Sequence, residues 1–222
     1  MKKSLLLILT LIFAITANAQ IKYGVKSGVN LSQNTVSTLT FDDGCYHEWE
    51  SHNFLTGFHI SGHVYFSLGK YFGIQPELSF STQGGKYKSQ FYLKEYHGFY
   101  LPLIEDNTIY TNNYHYINLP VLFEVKPFTN FSIFAGPQLG FNVYNDTDWN
   151  VNACDFAIVT GLQYAIAGKF LISARYNIGL TSTIPDNVQY SQRLVYPPNP
   201  HSHAKITGGA NRVLQFSVGY QF

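Results

Sequence analysis

Two clusters of side chains in this chain of 222 residues could carry chemistry. Asp42, Asp43, Cys45, His47, Glu48, Glu50 and His52 crowd into the stretch 33–55. Carboxylates and imidazoles together could bind a metal or move protons in a proteolytic reaction. None of the spacings repeats a ligand pattern, and acidic loops are common on cell surfaces. His201 and His203 flank Ser202 just after Pro197, Pro198 and Pro200, which reads as an irregular loop rather than a preformed two-histidine site. His59 and His63 share one face of a strand but stand about 13 Å apart along it, too far for one metal. Both read instead as interior hydrogen-bonding residues. The expectation is no catalytic residue, no metal and no cofactor.

The elements that hold these residues follow from the end of the chain. Leu214, Phe216, Val218, Tyr220 and Phe222 alternate with Val213, Gln215, Ser217, Gly219 and Gln221. A period of two is a strand with one apolar face and one mostly small or polar face. Seven earlier segments alternate in the same way: 21–31, 56–68, 72–83, 116–126, 131–143, 155–166 and 170–180. The turns after the second, fourth and sixth take only a few residues. The other connections run to about 24, 32, 11 and 31 residues, with boundaries uncertain by about two to four residues. A soluble sandwich has no reason to sort its loops by parity. A transmembrane barrel does, with short periplasmic turns and long extracellular loops.

The expected fold is therefore all-β: an eight-stranded antiparallel up-and-down transmembrane β-barrel, apolar faces to lipid. Lipid cannot satisfy an open strand edge, so the sheet must close. Composition agrees. Charged residues are 12% and aromatics 17%, which suits strands better than helices. A formal net charge of +1 excludes a strong field for nucleic acid.

Eight strands leave a lumen that side chains fill. Lys26, Glu77, Glu124, Lys126 and Arg175 fall on inward positions. Charges of mixed sign are expected to pair there, with Arg175 meeting Glu77 or Glu124.

The N-terminus reads as a secretory signal over 1–19. Lys2 and Lys3 precede the apolar run, and Ala17-Asn18-Ala19 sets cleavage between Ala19 and Gln20,. The barrel domain is then 20–222. Cys45 and Cys154 both fall on the outer side, and two cysteines in an exported chain suggest one disulfide over the barrel mouth.

Aromatics mark both ends. Tyr71, Phe72, Phe128, Phe131, Phe170 and Phe222 sit at the short-turn end as an interfacial girdle,. Tyr92, Tyr96, Phe99, Tyr100, Tyr110, Tyr114 and Tyr116 gather in or near the second long connection. They read as packing for a cap or as a stacking platform for a ligand.

Tyr116-Ile-Asn-Leu-Pro120, Ala135-Gly-Pro-Gln-Leu-Gly140, Arg175-Tyr-Asn-Ile-Gly-Leu180, Tyr23-Gly-Val-Lys-Ser-Gly-Val-Asn-Leu31 and the closing Phe222 resemble the PorT-like outer-membrane β-barrel family of Gram-negative bacteria. The resemblance covers the mature chain. It implies an outer-membrane location and a barrel surrounded by outer-membrane lipid. The closing Phe222 resembles the terminal signal that the barrel assembly machinery reads. It implies little chemistry. A non-enzymatic barrel whose outer loops form a cap, or meet an extracellular protein or glycan, is the leading expectation. A narrow passive channel and a rim-located enzyme are the alternatives.

Overall fold

The computed structural model describes residues 21–35, 37–41, 46–92, 104–147, 151–183 and 204–222. Among them there is no helix. The strands are β1 (Ile21–Asn34), β2 (Ser37–Phe41), β3 (Tyr46–Asn53), β4 (Leu55–Ser67), β5 (Phe72–Tyr92), β6 (Ile104–Phe128), β7 (Phe131–Asn145), β8 (Cys154–Ile166), β9 (Phe170–Ser182), β10 (Ala204–Gly208) and β11 (Ala210–Gln221). Every pairing is antiparallel.

Eight of the strands close a ring. β1 pairs with β4 on one side and β11 on the other, and β5 closes the circuit by pairing with both β4 and β6. The last residue takes part: the Phe222 N–H donates to the Tyr23 carbonyl at 2.7 Å. The ring thus leaves no free edge in its wall, as a membrane requires.

The faces separate by the period of two read in the sequence. Along β11, Val213, Gln215 and Ser217 are buried, whereas Phe216 and Val218 are exposed. On β4, His59, Ser61, His63 and Tyr65 point in while Phe58 and Ile60 point out. The buried set is dominated by polar side chains and the exposed set by Phe, Ile, Leu, Val and Tyr. That inverts a soluble protein, whose charged residues are almost never fully buried. A small apolar cluster of Leu122, Phe134 and Val159 fills the lumen beside β6, β7 and β8.

Aromatic rows border the apolar wall. At the long-connection end, Phe58, Phe80, His115 and Tyr144 form a continuous line across four strands, with ring centroids 5.9, 6.0 and 5.4 Å apart. At the short-turn end, Phe170, Tyr220 and Phe222 meet edge to face at 5.3 and 5.1 Å. On β6 the apolar wall runs from His115 to Val125, about 25 Å of height for a tilted strand. That matches the apolar band of a membrane barrel.

Two strands overshoot this band. β5 has 21 residues and β6 has 25, against the roughly 9–11 needed to cross. Their ladder continues from Phe72↔Val125 out to Phe91↔Ile104. β3 pairs with the distal half of β5, β2 with β3, and β10 with β2. The long connections therefore carry a five-stranded sheet past the end of the wall. Gly84 marks the passage, with φ +148 and a Cβ position only 1.9 Å from the Asn112 carbonyl oxygen. A side chain there would be strained in both respects.

Candidate functional site

The inward charges are placed by strand parity and ring position. Glu77 lies on β5 and Arg175 on β9, four places apart in a ring of eight, so they face each other across the full lumen. Arg175 Nη1 donates to Glu77 Oε2 at 2.7 Å, and Lys26 Nζ on β1 donates to Glu77 Oε1 at 2.9 Å. All three side chains are buried. Gln75 Nε2 also donates to Glu77 Oε1, at 2.7 Å. One carboxylate thus holds two cations from two other strands of the wall, β1 and β9.

The excess positive charge is spread over carboxamides. Arg175 Nε donates to Gln215 Oε1, and Gln215 Nε2 donates to Asn30 Oδ1 at 2.7 Å. Asn30 Nδ2 donates onward to Ser81 Oγ at 2.9 Å. His59 Nδ1 lies 2.7 Å from Asn30 Oδ1 and Nε2 lies 2.7 Å from Ser217 Oγ. Asn30 Oδ1 can only accept, so His59 donates from Nδ1 and accepts the Ser217 hydroxyl at Nε2. Neutral imidazole meets both contacts, so His59 needs no charge. This network ties β1, β4, β5, β9 and β11 together through the lumen.

Glu124 and Lys126 stand apart from it, toward the short-turn end. Their closest approach is 3.4 Å. Lys126 Nζ also lies 3.8 Å from the centroid of the Tyr65 ring, a cation–π contact. Tyr65 in turn lies over Gly73, where a Cβ would come within 2.3 Å of the ring. Arg175 therefore meets Glu77 and not Glu124. His63 departs from the expectation of a hydrogen-bonding role. Its ring packs over Gly24, and neither nitrogen has a hydrogen-bond partner among the described residues.

The remaining candidates separate. His47, Glu48 and Glu50 belong to β3, in register with Phe91, Gln90 and Lys88. His52 sits at the register shift between Ser51 and Asn53. Asp42, Asp43, Cys45, His201, His203, Ala19 and Gln20 lie outside the described residues, as do Tyr96, Phe99 and Tyr100. Cys154 opens β8 and is exposed. Among the described residues no three His, Cys, Asp or Glu side chains gather as a metal site would need. Tyr114 and Tyr116 are buried, whereas Tyr110 is exposed. His59 reads from sequence as an interior hydrogen-bonding residue and is one, whereas Asn30, Gln215 and Ser217 were not singled out, although all three occupy inward, polar positions. The signal was there: polar or small side chains at most positions of the inward parity.

A closed ring, a lipid-facing wall and a paired polar lumen define a membrane-spanning β-barrel. Residues 16–185 match the family model described as the outer membrane protein beta-barrel domain, and the chain belongs to that family. No curated protein matches it in sequence. Among solved structures, the outer membrane protein OprG from Pseudomonas aeruginosa is similar at 10% identity and a TM-score of 0.55, covering 92% of this chain and 97% of that one. The attachment invasion locus protein Ail of Yersinia pestis, in complex with the heparin analogue sucrose octasulfate, aligns at 10% identity and a TM-score of 0.44, covering 91% and 99%. The outer membrane protease OmpT from Escherichia coli aligns at 8% identity and a TM-score of 0.44, covering 93% and 98%. The protein is an integral outer-membrane β-barrel, with its short turns at the periplasmic side and its long connections outside.

Proposed function

We propose that this barrel is a non-enzymatic, closed scaffold, and that its working surface is the sheet carried outside the membrane by β2, β3, β10 and the distal halves of β5 and β6. The observation that supports the closed reading is the Lys26–Glu77–Arg175 bridge across the full ring. Opening a path there would strand charges in a low-dielectric lumen, which costs several kcal/mol. The partner of the outer sheet is an extracellular protein or glycan. Within the family, the PorT-like group is the branch whose sequence pattern the chain follows.

Maturation follows the same reading. A signal over 1–19 is removed between Ala19 and Gln20, and N-terminal sequencing of the membrane-extracted chain reads that cut directly. Cys45 and Cys154 form one disulfide over the outer mouth; the intact mass should rise by two hydrogens on reduction. Phe222, with its exposed ring at the periplasmic end, is the residue the barrel assembly machinery reads. Phe222→Ala should lower the assembled fraction in cells without changing the stability of refolded protein.

Planar-bilayer recording tests the closed scaffold. The native chain should give no discrete conductance steps. Regular openings from purified native protein would replace this reading with the narrow channel. Capture of an extracellular protein or glycan array by the intact barrel, lost when the distal halves of β5 and β6 are trimmed, tests the outer surface.

A further inference from the structure

The hydrocarbon-facing wall is not uniformly filled. A trough of about 480 Å³ lies across β1, β11, β9, β8 and β7. A second hollow of about 520 Å³ is lined by Phe128, Thr129, Asn130, Phe131 and Tyr164. The two meet at Phe131 and Tyr164, which line both.

Register fixes the course of the trough. One bank follows a single rung of the sheet: Ser27↔Val218, Val218↔Ile172, Ile172↔Tyr164 and Tyr164↔Phe131. The other follows the next outward rung: Val29↔Phe216, Phe216↔Ala174 and Ala174↔Leu162. Ala174 is the small residue between two bulky neighbours, and it makes the dip. Because the strands tilt, the rung descends. Ser27 is well inside β1, Val218 is nearer the end of β11, Ile172 and Tyr164 are close to the β8–β9 turn, and Phe131 begins β7. The drop from Ser27 to Phe131 is about 14 Å for strands of ordinary rise and tilt. Half the hydrocarbon thickness of a bilayer is about 15 Å. The depression therefore runs from the membrane midplane to the periplasmic border, the depth of one leaflet.

Its lower end meets polar and cationic groups. Thr129 and Asn130 are exposed there. The Asn130 carbonyl accepts from the Ala165 N–H at 2.8 Å, which joins this turn to the β8–β9 turn bearing exposed Lys169. Of the lysines on the short-turn rim, Lys169 is the one carried by a turn next to that end, whereas Lys126 turns inward, against Glu124 and the Tyr65 ring.

We infer that this depression is a binding site for one anionic glycerophospholipid of the periplasmic leaflet. An acyl chain lies along the trough over Ala174, and the phosphate sits by Thr129, Asn130 and Lys169. Hydrocarbon surroundings supply the chain, the depth matches one leaflet, and the cationic turn selects the headgroup charge.

The test uses the full mature chain in vesicles of phosphatidylethanolamine with a minor share of phosphatidylglycerol. It is extracted in mild detergent and weighed by native mass spectrometry. The expected species is a monomer carrying one phosphatidylglycerol. Ala174→Phe and Ser27→Leu fill the trough at two points and should each reduce bound lipid about fivefold or more. Lys169→Glu should keep a lipid but shift it toward phosphatidylethanolamine by about fivefold. Leu78→Phe, on another part of the wall, should change nothing. Retention of phosphatidylglycerol by a folded Ala174→Phe or Ser27→Leu variant equal to the native chain would overturn the site. So would release of the native chain without lipid, without headgroup preference, or as a dimer covering this face.

Discussion

Glu77 is the residue on which the lumen depends. It is the shared acceptor for Lys26, Arg175 and Gln75, so neutralising it leaves two buried cations facing each other. Glu77→Gln should destabilise the barrel by about 3–5 kcal/mol, read as a lower urea midpoint for unfolding from vesicles. Replacing the whole triad with Lys26→Met, Glu77→Leu and Arg175→Met should recover much of that loss, because no charge is then stranded. An equal loss in the single and triple variants would mean that the packing of these positions, not their charge, matters. His59 makes a contrasting case. Both of its contacts are satisfied by neutral imidazole, so His59→Gln should cost less than Glu77→Gln in the same measurement. The parity of these inward residues was legible from sequence. The choice of Glu77 over Glu124 was not, because it depends on which strands lie opposite in the ring and on the height of each residue along its strand.

At the scale of the strand, each position in the wall has a side and a depth. Val218 is outward at mid-wall, and Val218→Arg should cost about 2–4 kcal/mol, the price of a cation at the bilayer midplane. Thr111 is also exposed but lies on the part of β6 beyond the aromatic row, so Thr111→Arg should change stability by no more than about 1 kcal/mol. The same urea titration checks both, and similar costs at the two sites would misplace the membrane border. Gly84→Val should weaken the outer hairpin, through its φ and its contact with Asn112, while leaving the wall intact; faster proteolysis of that hairpin alone is the expected sign. All eight wall strands were readable because lipid on one side and a packed lumen on the other enforce strict alternation. The continuation of β5 and β6 was not. Beyond the border both faces are free of lipid, so Lys86, Lys88 and Thr111 no longer carry the pattern, and the stretch reads as loop.

At the scale of the molecule, the fold is an inverted one, with polar contacts inside and apolar side chains outside. The ring is closed by its first and last strands, so nothing in the membrane has an unpaired edge. The outer sheet and the periplasmic rim are then free to differ. The first offers backbone and polar surface to the exterior, and the second gathers lysines beside aromatic rings. The family and the location follow from this arrangement, whereas no chemistry follows from it.

The most direct measurement of the account is spin-label accessibility along β11. Single cysteines at 213 to 219, with Cys45 and Cys154 replaced by Ser, would be labelled in the vesicle-inserted barrel. The account predicts that oxygen, which dissolves in hydrocarbon, relaxes labels at Leu214, Phe216 and Val218, while labels at Val213, Gln215 and Ser217 are reached by neither oxygen nor a water-soluble nickel reagent. If the water-soluble reagent instead reached Phe216 and Val218, or the accessibility showed no period of two, the lipid-facing wall would be contradicted.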